Sequence, residues 1–394
     1  MNPLLSAQIQ QYILAHEQED ENSLVLQHAT IHGCRSAEVA AQIAARRKAK
    51  VKLPLYYHAS NILYPPSVNL EQSSSEATAR FKASLFSGTT VVDLTGGFGV
   101  DSFFFSQRFR TTCYVEPNLA LVEMARHNHN MLGATGIQYF HSTAEDFLSN
   151  TSCIPDLFYL DPSRRSASGK KVFRFADSEP NVISLLPLLS KASKTLIKAS
   201  PWLDISLGIK DLAQVVKVVV VAVGNECKEV LFCLAADFPD APVIEAVDLK
   251  ADGTIRHLLS FSQAEERQAD IGYADPQLFI YEPSAAISKA GAFKTVALRF
   301  GLEKVSPNTH LYTSARLQEG FPGKTFRVVE WIRADKKCLP LLLENNKANI
   351  ITRNYPLTAP QVRKRLGLED GGDRFILAFS GLKKKYLALA ERVR

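Results

Sequence analysis

Four short stretches carry side chains that could do chemistry together. In VVDLTGGFGVDS, Asp93 closes an apolar run, and Thr95, Gly96, Gly97, Phe98 and Gly99 follow as a glycine-rich turn. Glycines let a backbone turn sharply and approach a ligand closely. No Gly-Lys-Ser/Thr follows, which excludes a Walker phosphate loop, and Asp93 suits a ligand that carries positive charge. Glu116 ends the next apolar run, TTCYVE, where a carboxylate can accept both hydroxyls of a ribose. That position fits a nicotinamide dinucleotide as well as any other adenosine. In HSTAEDFL, Asp146, or in its place Glu145, could accept an adenine amino group; both could equally be acids favoured by a helix dipole. Last, DLFYLDPSRR delivers Asp161, Pro162, Ser163, Arg164 and Arg165. Asp161 could take a hydrogen bond from an incoming nitrogen or oxygen. The two arginines could grip phosphates or stack on bases, or form an ordinary solvated turn.

These residues need elements that bring them to one crevice. TTVVDL, TTCYVE, IQYFHS, DLFYLDP, KTLIKAS, VVKVVVVAV and ECKEVLFCL read as seven strands, most of them separated by helical stretches. That alternation predicts an α/β fold: a Rossmann-like, doubly wound, mostly parallel sheet. In such sheets ligands bind outside the carboxyl ends of the strands, where all four stretches fall. VVKVVVVAVGNECKEVLFCL joins two apolar runs by a short polar turn, so a hairpin places an antiparallel strand at the end of the sheet. Dehydrogenase sheets of this type usually stay parallel. Ahead of the sheet, residues 1–70 read as helical: Ser36 is expected to cap SAEVAAQIAARRKAK, and Pro65 and Pro66 break the pattern. Residues 71–238 then form the sheet domain, 239–320 a small α+β domain, and 321–394 a basic domain.

The motifs carry a resemblance. VVDLTGGFGVDS, VEPN and YLDPSRR are similar to the first, second and fourth motifs of class I S-adenosylmethionine-dependent methyltransferases. LEQSSSEATARFKA, LIKASPWLD and NECKEVLF resemble the THUMP-like methyltransferases of bacteria. YEPSAAISKAGAF resembles the ferredoxin-like domain of that family, and ITRNYPLTAPQVRKRLGLEDGGDRFI its THUMP-like domain. The resemblance implies S-adenosyl-L-methionine as cofactor. Asp93, Thr95, Gly96, Gly97, Phe98 and Gly99 would then hold its methionine end, Glu116 the ribose, and Asp146 or Glu145 the adenine. Gln72 would close over the methionine carboxylate, or else bond its own backbone at a helix start. THUMP domains imply structured RNA, tRNA or rRNA, with direct in-line methyl transfer to a base. Here the THUMP-like segment comes last rather than first. The fourth motif lacks the aromatic that clamps an exocyclic amine, and KASPWLD has Ser200 where carbon-5 chemistry needs a cysteine. A methyltransferase of proteins or small molecules, a non-catalytic RNA-binding protein and a NAD-dependent oxidoreductase are the rival readings.

Composition sets the frame. The chain has 394 residues, room for two to four domains, and 46% hydrophobic with 22% charged residues is a globular makeup. The net charge of +6 is concentrated: residues 323–394 hold 16 Lys and Arg against 7 Asp and Glu, leaving −3 for the rest. Such asymmetry suits a module that meets a polyanion. No run approaches the roughly 20 apolar residues of a membrane span, and MNPLLSAQIQQYILAHEQED has no basic leader of a signal peptide. The six cysteines form no CxxC pair and no zinc-ligand spacing, so neither metal nor disulfide is expected, and the expected compartment is the cytoplasm.

Overall fold

The structure, a computed structural model, describes residues 2–163, 174–236, 241–332 and 343–393. By its internal contacts the chain divides into two compact units: 1–218 with 228–240 and 249–254, and 219–227 with 241–248 and 255–394.

The first unit opens with helices α1 (Ala7–Ala15), α2 (Glu21–Gln27), α3 (Ser36–Lys52), α4 (Pro54–His58), α5 (Ser67–Gln72) and α6 (Glu76–Ser84). Ile9, Ile13, Leu24, Val39 and Ile43 close a small core among the first three. Ser36 is the first residue of α3 rather than its cap; Arg35 stands at the N-cap and donates from Nε to Glu38 at 2.9 Å. Ser75 caps α6 through the Thr78 N–H.

The alternation read from the sequence follows: β1 (Gly88–Asp93), α7 (Val100–Phe105), β2 (Phe109–Glu116), α8 (Leu119–Met131), β3 (Ile137–His141), α9 (Ala144–Asn150), β4 (Leu157–Leu160), α10 (Val182–Leu189), β5 (Lys194–Ala199), α11 (Ile205–Leu212), β6 (Val215–Val223) and β7 (Glu226–Ala235). Strands β3, β2, β1, β4 and β5 pair in that order and all in parallel, and β7 joins β5 antiparallel. The runs are apolar because both faces are covered; all four residues of β4 are buried. Between β6 and β7 the turn residues Gly224 and Asn225 both have positive φ, 59° and 63°, as a tight two-residue hairpin demands. Strands β8 (Val243–Leu249) and β9 (Ile255–Ser262) extend the hydrogen-bonded order to β9-β8-β6-β7-β5-β4-β1-β2-β3. The seven strands read from the sequence are thus contained in a sheet of nine.

The second unit has its own sheet. Its elements are α12 (Gln263–Gln268), β10 (Phe279–Pro283), α13 (Ala285–Ala290), α14 (Phe293–Arg299), β11 (Glu303–Ser306), β12 (Thr309–Ser314), β13 (Gly323–Trp331), β14 (Asn349–Arg353), α15 (Ala359–Leu366), β15 (Arg374–Ser380) and β16 (Lys385–Arg392). The order is β11-β12-β10-β13-β16-β15-β14, antiparallel except for β14 with β15. Ile280, Val305, Phe326, Leu377 and Phe379 form one core on it. Val362 of α15 packs on the other face with Ile376 and Leu389. Among the described residues no helix is long and apolar enough to cross a membrane.

Candidate active site

Strand β1 ends at Asp93, and Leu94–Gly99 turns the chain into α7. Backbone bonds close the turn: Gly96 N–H donates to Val115 O at 2.9 Å, and Gly99 N–H to Gly96 O at 2.8 Å. Two glycines are sterically required. A Cβ at Gly96 would stand 2.3 Å from the Tyr114 ring, and one at Gly99, whose φ is +85°, would stand 2.7 Å from His129 Nε2. The Tyr114 hydroxyl donates to Gly97 O at 2.6 Å. His129 Nε2 lies 2.8 Å from Gly99 O and must be the donor, so Nδ1 accepts from the Tyr139 hydroxyl at 2.9 Å. Burial pushes His129 down to about 4, which keeps the imidazole neutral.

The turn borders a cavity of about 370 Å³. Gln72, Thr95, Gly96, Gly97, Phe98, Gly99, Glu116, Glu145, Asp161, Pro162 and Ser163 all line it, so most of the residues singled out from the sequence meet at one place. Glu116 is buried; its Oε2 accepts the Gly97 N–H and its Oε1 the Asn118 N–H, both at 2.9 Å. Each oxygen keeps a lone pair for a further donor. Asp93 is not in the lining. It lies buried behind the turn, accepting the Thr95 N–H at 3.1 Å and the Ser102 hydroxyl at 2.5 Å. Burial pushes its carboxyl up to about 7, against the Ser102 bond. Asp146 is exposed on α9 outside the lining, its N–H held by the Thr143 cap, and only Glu145 of the pair reaches the cavity. Arg164 and Arg165 lie outside the described residues.

Across the cavity, Asp161 follows β4. Its N–H donates to Thr95 Oγ1 at 2.6 Å and ties this strand end to the glycine turn. Ser163 N–H donates to Glu179 O at 2.7 Å. The Asp161 carboxylate pairs with Lys198, a β5 side chain only 3% exposed. Beneath them sits a second buried ion. Lys82 of α6 is fully buried and donates to Ser74 Oγ at 2.7 Å and to Glu229 of β7 at 2.9 and 3.2 Å. Asp101 of α7, which also lines the cavity, lies 3.1 Å from the same ammonium through Oδ1. That contact is an ion pair without an aligned hydrogen bond. Its Oδ2 accepts from the Ser74 hydroxyl at 2.7 Å and the Tyr159 hydroxyl at 2.8 Å. Burial alone would lower the Lys82 ammonium, but Asp101 and Glu229 outweigh it and hold it raised. Burial raises Glu229; Asp101 is held low against its burial by Lys82 and Lys198. The sequence reading missed Lys82, Asp101, Lys198 and Glu229. Their signal was charge inside apolar runs, as in KTLIKAS and ECKEVLFCL.

The lining suits S-adenosylmethionine, which brings positive charge and no phosphate: five acidic residues (Asp101, Glu116, Glu145, Asp161 and Glu179), the free approach over Gly96–Gly97, and no lysine or arginine among the described lining residues. A crystal structure from Porphyromonas gingivalis W83, provisionally named a methyltransferase, is similar to this chain. It is 32% identical, covers 98% of each chain, and superposes with a TM-score of 0.85. The chain belongs to the THUMP-like methyltransferase family. Residues 279–322 match the ferredoxin-like domain model of the family and residues 323–392 the THUMP domain-like model. Two relatives from Mycobacterium tuberculosis, strains CDC 1551 / Oshkosh and H37Rv, are both named uncharacterized S-adenosylmethionine-dependent methyltransferases. Each is 23% identical over 313 residues, 76% of this chain and 79% of theirs. This THUMP-like methyltransferase is an enzyme, and its cofactor is S-adenosyl-L-methionine.

Proposed function

We propose that this methyltransferase modifies structured RNA, tRNA or rRNA, held by its C-terminal domains. The observation that carries the reading is the charge of the segment matched by the THUMP-like model. Its excess of 15 Lys and Arg over 7 Asp and Glu is a polyanion's counterpart. Within the second unit, a wide groove of about 1530 Å³ is lined by Arg256, Lys324, Lys347, Arg374 and Arg392. Carboxylates line it too, and Glu391 pairs with Arg374, as Lys324 does with Glu282. A cytoplasmic site of action fits an RNA substrate.

In the cavity, the backbone of Thr95–Gly99 and Gln72 would hold the methionine end of the cofactor, and Glu116 the ribose. Glu145 would take the adenine edge in preference to Asp146, because it is the one that reaches the cavity. When bound, the cofactor supplies an electrophilic methyl group on a sulfonium. Asp93 would act through the turn it braces, by fixing the Thr95 N–H and Ser102. Asp161 faces the acceptor side, and Pro162 and Ser163 shape the mouth beside it.

The test is transfer of a labelled methyl group to RNA from cells lacking the gene and, in parallel, to protein, with Asp161→Ala as control. Label in RNA that disappears with the variant is expected. Label in protein alone, or in neither despite cofactor binding, would turn the assignment to another substrate class.

A further inference from the structure

We propose that the methyl acceptor is a hydroxyl, the ribose 2′-OH of RNA, prepared by the buried array Lys82, Asp101, Glu229, Lys198 and Asp161. The inference rests on the RNA reading and departs from the base acceptor expected from sequence. Four elements and the loop after β4 each send one charged side chain to the same buried place. Burying charge is expensive, and an apolar core of the same volume would usually be no less stable. The array is not sealed away from the crevice: Asp101 and Asp161 line the cavity, while both lysines stand one layer behind them. Lys198 also acts electrostatically on Asp101 and Glu229, so the five groups form one system.

That layout answers the needs of an oxygen acceptor. A sugar hydroxyl is a very weak acid, so its proton must leave as the methyl arrives. This requires a base within hydrogen-bond reach and fixed charges around it. An exocyclic amine makes a lesser demand, because it attacks first and then loses a proton from a cationic product. It is commonly clamped by an aromatic ring, and here Phe98, within the glycine turn and 3% exposed, is the sole aromatic among the described lining residues. The 2′ oxygen forms its bond to the methyl carbon as the bond from that carbon to sulfur breaks. The electron pair of the broken bond stays on sulfur, and the hydroxyl proton passes to Asp161. Asp161 is then the catalytic residue; Lys198 and Lys82 are positioning residues that orient the carboxylates. Trp202, 77% exposed just past β5, offers an aromatic face on which a base beside the target could stack.

The experiment uses the full chain, methyl-labelled cofactor and the RNA that accepts label, followed by alkaline hydrolysis. A 2′-O-methyl group removes the nucleophile that cleaves the adjoining phosphodiester, so label should appear in alkali-stable dinucleotides. Label released as mononucleotides would place the methyl on a base, overturning this inference while leaving the RNA reading intact. No label in RNA would overturn both. Lys198→Met and Asp161→Asn, which keep side-chain size, should lower kcat about 100-fold or more. The KM for RNA and the calorimetric affinity for S-adenosylmethionine should stay within about three-fold. A Lys198→Met variant with full kcat, or one whose loss lies wholly in cofactor affinity, would remove Lys198 from the assignment.

Discussion

Lys82→Met asks whether the buried array is electrostatically coupled, and its cost can be worked from the partners. The ammonium is fully buried between Glu229 at 2.9 Å and Asp101 at 3.1 Å. Removing one partner of a buried ion pair typically costs about 3–5 kcal/mol, because the remaining charge is left without compensation. The folded variant has an escape: it can take up a proton. Glu229 is the natural acceptor, since burial already raises its carboxyl. An unfolded glutamate has a pKa near 4.3, so holding that proton at pH 7 costs about 1.36 × 2.7, or ~3.7 kcal/mol; at pH 5 the cost is about 1 kcal/mol. The sign follows from proton counting. Above about pH 4.3 the folded variant binds a proton that its unfolded chain does not, so the deficit relative to the parent shrinks as pH falls. The expected destabilisation is therefore about 3–4 kcal/mol at pH 7 and roughly 1 kcal/mol at pH 5. Lys82→Met/Glu229→Gln should recover most of the loss at pH 7. Urea denaturation at the two pH values measures it, following the transition that added cofactor shifts, because the chain has two units. A deficit equal at both pH values and untouched by Glu229→Gln would refute the coupling.

Three further outcomes are expected. Gly96→Ala drives a Cβ into the buried Tyr114 ring and should cost about 1–3 kcal/mol with loss of cofactor affinity. Gly97→Ala meets nothing nearer than 3.8 Å, and its positive φ should cost only about 1 kcal/mol; thermal melts with and without S-adenosylmethionine compare the two. His129, held at about 4 by burial, is unprotonated in the fold while the unfolded imidazole charges below about 6.5, so its contribution is lost as pH falls from 6.5 to 4. That loss is on the order of 3 kcal/mol. Asp93, pushed up to about 7, drifts the opposite way, so the measurement is the stability difference between parent and His129→Gln across that window. Changing the exposed Lys364, Arg365, Lys383, Lys384 and Lys385 to glutamine should weaken RNA binding and flatten its salt dependence, with cofactor affinity unchanged. Each phosphate contact removed should lower the slope of log K against log salt by about 0.7–0.9, read by titration at several salt concentrations.

What was legible in the sequence is what is local. The glycine turn, Glu116 and Asp161 each sit at the end of an apolar run, and a parallel sheet delivers strand ends to one crevice without further information. The Gly224–Asn225 hairpin was legible for the same reason, since two adjacent residues suited to positive φ between apolar runs leave few alternatives. Asp93 shows where locality stops. It is where the strand pattern put it, but only three dimensions show it facing Ser102 and the back of the turn instead of the cavity. Asp146 and Glu145 are adjacent on a short helix, and which one faces the cavity depends on the helix phase, which a motif does not encode.

The buried array was illegible for a stronger reason. Lys82 and Glu229 are 147 residues apart, and each alone reads as something ordinary: a lysine on an amphipathic helix, and a glutamate near the start of a strand. Lys198 in KTLIKAS reads as the end of a strand that has simply reached solvent. Yet the unfavourable solvation of each one makes the group informative. Two buried lysines can persist only because Asp101, Glu229 and Asp161 converge on them from other elements, an arrangement that an apolar core of the same volume would match in stability. A charge in an apolar run is thus weak evidence singly. Three such charges whose elements pair side by side at one end of one sheet, as β4, β5 and β7 do, are a stronger signal of a shared buried site than any one of them.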